Sequence, residues 1–126
     1  MRRFTVVVYA VFGTLALLLG VLALVAPARA LPPEMYSPLA AHLLREQGAE
    51  GVFIGLMALW CATHYEQRRP VHNALLVFTL LFAAIHWAEY LQDRRSLLSP
   101  LVNSVPFLLF AATAPFASRE RAAANA

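Results

Sequence analysis

The chain has 126 residues, of which 60% are hydrophobic and 13% charged, with a formal net charge of +3. Soluble domains carry roughly 45–50% apolar residues even with glycine counted, and about 25% charged ones. Together with a mean hydropathy of +0.62, this excludes a disordered tail, a disulfide scaffold, a coiled coil and a soluble enzyme domain. It leaves an all-α integral membrane protein with a single domain over residues 1–126.

Taken in chain order, the first apolar run is FTVVVYAVFGTLALLLGVLALVA, residues 4–26. At about 1.5 Å per residue it covers about 34 Å, enough to cross a hydrocarbon core of about 30 Å. Arg2–Arg3 before it and Ala28-Arg29-Ala30 after it outline a signal peptide and its cleavage site. The apolar stretch is much longer than the 7–15 residues of a signal sequence, so the expectation is an uncleaved span. Pro32-Pro33 then stops the helix. Ser37-Pro38 offers an N-cap with proline at the first helical position, and Gly48 offers a terminator. Leu39, Leu43 and Leu44 share one side, which predicts a short amphipathic helix on the outer membrane face in this first loop.

Three further spans are expected at about 47–66, 72–92 and 97–117, joined by short connections that make them antiparallel neighbours. The whole is then a four-helix bundle. Pro100, Pro106 and Pro115 predict a kinked fourth span, and RERAAANA after it reads as a frayed end. Gly51, Gly55, Ala58 and Ala62 form a strip of small residues on the second span, and Gly13, Ala16 and Gly20 form one on the first. The expectation is that these strips pack together within one chain, with a homodimer seam as the alternative.

All ten cations are Arg, mostly paired at the edges of apolar runs. No basic stripe with interleaved aromatics accompanies them, so they read as membrane-flank anchors and not as a nucleic-acid surface. Arg2, Arg3, Arg68, Arg69, Arg119 and Arg121 against Arg29, Arg45, Arg94 and Arg95 favours both termini on the cytoplasmic side of a bacterial inner membrane. The single cysteine, Cys61, allows no intramolecular disulfide.

Polar residues inside spans locate where an activity would sit. His72, Thr79, His86 and Asp93 recur every seven residues along the third span, and Glu89 joins their face. Glu50, Met57 and His64 repeat the spacing on the second. Antiparallel pairing puts Glu50 at the depth of His86 and Glu89, and Asn103 of the fourth span is expected beside them. Glu50, His86, Glu89 and Asn103 are therefore the candidate ligand or proton site. Two carboxylates in a low dielectric cannot both ionise easily, so the cluster suits a proton relay or a cationic or hydroxylated ligand. His86-x2-Glu89 with Glu50 outlines a metal triad, and His64 with His72 a haem pair; both are minor readings, and no metal or other cofactor is predicted. The structural alternative places Glu50 and Glu89 at the headgroup level, paired with Arg45 or Arg94, and makes His86 a neutral bundle histidine. His64 and His72 are read as ordinary interface residues.

GAEGVFIGLMALW (48–60) and LLFAAIHW (80–87) resemble small four-helix bacterial membrane proteins of the DoxX-like kind. Those share an acid-and-glycine entry to the second span and a third span ending in Ala and His. The resemblance implies an accessory membrane subunit associated with redox or quinone-linked enzymes. The functional expectation is a small, non-enzymatic membrane protein, either an accessory subunit or a binder of a small apolar ligand or lipid. Its partners would be the bilayer and a membrane protein or second copy. The alternative is a compact membrane enzyme or proton-coupled redox component built on the Glu/His cluster.

Overall fold

The computed structural model describes the backbone of residues 2–64, 69–94 and 96–124, and side chains within 3–64, 69–94 and 96–113. It is all-α, with no strand among the described residues. Helix α1 runs Arg2–Val25, a one-turn α2 covers Pro27–Ala30, and a 3₁₀ turn covers Pro33–Met35. Helices α3 (Pro38–His64), α4 (Arg69–Leu91) and α5 (Leu98–Ala124) follow. Proline punctuates the first connection: Pro27 begins α2, and Pro33 begins the 3₁₀ turn.

The start of α3 is the one the sequence predicts. The Ala40 backbone N–H donates to Ser37 Oγ at 3.1 Å, and Pro38 fills the first helical position. Its continuation differs. The expected amphipathic helix and second span form one uninterrupted 27-residue helix. Gly48 does not terminate it, because no glycine in the chain takes the left-handed conformation that a glycine stop uses. Gly48 is instead buried against α1, where a Cβ would stand 2.8 Å from the Gly20 carbonyl oxygen. The last residues of the expected second span, 65 and 66, lie outside the described residues.

All five glycines of the chain serve this α1–α3 contact. A Cβ on Gly55 would meet the Leu17 nitrogen at 2.6 Å, and one on Gly20 would meet the Val52 nitrogen at 2.6 Å. One on Gly13 would meet the Leu59 side chain at 2.8 Å. The two small-residue strips thus pack together within the chain as expected, with Gly48 extending the α3 strip by one turn. Close backbone approach maximises dispersion contact where both helices otherwise present aliphatic side chains.

Helix α4 packs chiefly on α5, while α3 and α4 touch lightly. The Trp87 indole N–H donates to Ser104 Oγ at 3.0 Å, tying α4 to α5. Helix α4 ends at an Asp93 with φ 55°, where Arg94 N–H donates to the Glu89 carbonyl and Asp93 N–H to that of Tyr90, both at 3.0 Å. This is a Schellman stop with aspartate in the left-handed position. Helix α5 passes through Pro106 and continues to Ala124. The stretch expected to fray is therefore helical up to that residue, as its alanine-rich sequence favours; residues 125 and 126 lie outside the described residues.

The two helix pairs meet in one core. Val8 and Tyr9 of α1, Ala58 and Cys61 of α3, Leu75 of α4 and Phe110 of α5 are all buried there. Phe110 lies 5.0 Å from Tyr9 and edge-on to Phe12 at 4.9 Å, centroid to centroid.

Two helices among the described residues, over Arg3–Val25 and Arg69–Leu91, are long and apolar enough to cross a membrane, and a shorter apolar stretch covers Leu98–Thr113. This is fewer than the four spans expected. Helix α3 falls short because Gln47, Glu50 and His64 dilute its apolar half.

Candidate functional site

The polar residues sort into two places, and neither is the predicted cluster. Glu50 is exposed on α3 and opens on a groove between α3 and α4 of about 710 Å³. Its walls are apolar, with Phe53, Ile54 and Met57 on one side and Ala74, Leu75 and Phe78 on the other. Among the described residues, Glu50 is the ionisable one lining it. The groove exists because α1 and α5 draw α3 and α4 in different directions. The glycine contact holds α3 on α1, and Trp87–Ser104 holds α4 on α5.

Helix α4 lines the groove only as far as Phe78. His86 lies eight residues further on, about 12 Å along the helix. Its Nδ1 donates to the Phe82 carbonyl at 2.9 Å, and its ring stands 4.6 Å from that of Phe82. Glu89 is half-buried one turn beyond. Asn103 Nδ2 donates to the Ser99 carbonyl of its own helix at 2.8 Å. The groove therefore brings Glu50 to Phe78 and reaches none of the other three. Among the described residues, no three His, Cys, Asp or Glu side chains stand together as a metal-holding group.

The second place is the core, where His72 is buried at 2% exposure. It shares a hydrogen bond with the Tyr9 hydroxyl across α1 and α4. Thr5, Thr79 and Thr113 are the other buried polar residues among those described. Thr79 and Thr113 return their hydroxyls to their own helices, donating to the Leu75 carbonyl at 2.9 Å and the Phe110 carbonyl at 2.7 Å. His72 and His64, both read from the sequence as ordinary interface residues, differ in their surroundings. His64 is exposed at the end of α3, bonded to Thr63 at 2.7 Å. The seven-residue stripe did carry the signal for His72 and Thr79, which share the buried face of α4. What sequence reasoning missed was Tyr9, the one large polar side chain within the apolar run of α1.

Both places have the character of binding or packing features. The core pair is sealed among aromatic and aliphatic side chains. The groove offers apolar surface with the Glu50 carboxylate at its end among the described residues.

The chain matches the family described as "Domain of unknown function (DUF4345)" over residues 4–86. The match takes in α1, α3 and most of α4, and so both walls of the groove. No curated protein and no solved structure matches the chain.

Proposed function

This chain belongs to the DUF4345 family, and we propose that it is an integral membrane protein that holds the apolar chain of an amphiphile in the groove between α3 and α4. Membrane embedding is supported by the mismatch between hydropathy and burial. The apolar stretches of α1 and α4 are long enough to cross a bilayer, yet only 28% and 17% of their residues are buried. The core helix of a soluble protein would be mostly covered. Here Leu15, Leu18 and Leu19 of α1, Leu81 and Ile85 of α4, and Leu108 of α5 stand open. An exposed belt of this extent is stable against lipid tails and aggregation-prone in water.

The observation that carries the binding reading is the groove itself. It lies within that belt, so a ligand enters sideways from the bilayer without leaving hydrocarbon. Its chain would displace lipid tails from Ile54, Met57, Ala74 and Leu75, and its head would sit at Glu50. On this reading the protein acts as a holder or presenter of its ligand.

The test is photocrosslinking in intact membranes with a lipid whose tail carries a diazirine. Adducts should concentrate on residues 49–57 and 70–78, and Ala74→Trp, which fills the groove from an exposed position, should remove them. Labelling spread evenly over the outer faces of α1 and α5, unchanged in Ala74→Trp, would reject the groove as a site.

A further inference from the structure

The groove has a chemically distinct end, and its composition selects among head groups. Glu50 and Phe53 are three residues apart on one side of α3, and Phe78 lines the same groove from α4; all three are exposed. A carboxylate and two phenyl rings lining one groove are a combination that recognises an alkylated ammonium ion. The carboxylate supplies charge and the ring faces supply quadrupole attraction. An anionic head would be repelled at the same place.

The approach to this end is charged. Glu46 lies one turn before Glu50 on the same side of α3, and His42 one turn before that, with His42 Nε2 3.3 Å from Glu46 Oε1. Arg45 lies one turn before the groove-lining Ala49, so a cation stands at this approach as well. Arg69 adjoins Pro70 at the opposite end of the groove, about 12 Å away along α4. Among the described residues, Glu50 is the charge that lines the groove itself.

Resting on the groove reading above, we propose that the ligand is an amphiphile with an alkylated ammonium head, seated between Glu50, Phe53 and Phe78, its chain running toward Pro70. The chain length inside the groove is about 12 Å, from eight residues of helix on either wall.

The experiment is competition against the diazirine probe, with the full chain in neutral maltoside micelles. The competitors are a long-chain alkyltrimethylammonium and the alkyl phosphate of equal length. The wild-type protein should be cleared of probe at an about tenfold lower concentration of the ammonium compound. Glu50→Gln, exposed and so without consequence for helicity by circular dichroism, should bring the two competitors to parity. Equal competition in the wild type, a preference for phosphate, or a preference that survives Glu50→Gln would overturn the head-group assignment. Labelling of Ala74→Trp at the wild-type level would instead show that the groove is not the site at all.

Discussion

The contact between α1 and α3 sets the position of one groove wall, and Gly55→Ala tests it. The added Cβ would lie 2.6 Å from the Leu17 nitrogen and 2.8 Å from the Gly13 carbonyl oxygen, both backbone atoms that cannot rotate away. Ordinary contact begins at 3.4 Å, so the helices must separate by about 0.8 Å. Because both are rigid, the opening is shared along the run from Gly13 to Gly48. A gap of that size forfeits roughly a quarter to a half of each dispersion contact it affects. Overpacking of this kind costs about 1–3 kcal/mol, against a gain of at most about 1 kcal/mol in helix propensity. The net expectation is a loss of about 1–2 kcal/mol. Gly51→Ala is the internal control, since its Cβ would meet nothing closer than 3.2 Å. There the two effects nearly cancel, leaving the stability within about 0.5 kcal/mol of wild type. The assay is reversible unfolding by titrating dodecyl sulfate into maltoside micelles, followed by circular dichroism. Equal midpoints for Gly55→Ala and wild type, or an equal fall for Gly51→Ala, would refute the reasoning.

Other substitutions probe the core and the helix ends. Tyr9→Phe should destabilise by about 1–3 kcal/mol, because it removes a hydroxyl bonded to buried His72. In the same titration Tyr9→Phe with His72→Leu should cost less than the sum of the single changes, and strict additivity would show that the two side chains are not coupled. Asp93→Gly should stabilise by about 0.5–1 kcal/mol by relieving a left-handed non-glycine residue, and a loss of stability would mean the aspartate side chain contributes more than its backbone costs. Cys61, buried in the core, should resist a membrane-permeant maleimide until the protein unfolds. Rapid labelling of the folded protein would contradict the packing of α3 against α1, α4 and α5.

Much of the fold is legible in the sequence because it depends on local rules. The apolar runs fix α1 and α4, Ser37-Pro38 fixes the start of α3, and the spacing of Gly13, Gly20, Gly51 and Gly55 pairs α1 with α3. What fails is inference across helices. Gly48 has the same identity whether it ends a helix or admits a neighbouring backbone, and only the presence of α1 decides. The candidate cluster fails for a related reason. Seven-residue spacing tells which face Glu50 or His86 occupies, but register between α3 and α4 depends on how far each is drawn toward its other partner. With α3 held on α1 and α4 on α5, Glu50 lines a groove that on α4 ends at Phe78 and does not reach His86 or Asn103. The same divergence opens the groove, which no single segment could reveal. Tyr9–His72 was hidden similarly, since an aromatic within an apolar run gives no sign of a partner sixty-three residues away.

The most direct test of the account is native mass spectrometry of the chain extracted gently from its own membrane, alongside Ala74→Trp. The wild type should carry one retained amphiphile above its 13.9 kDa, and the filled groove of the variant should leave the chain bare. A bare wild-type chain, or the same added mass on both proteins, would contradict the claim that the groove between α3 and α4 is a binding site.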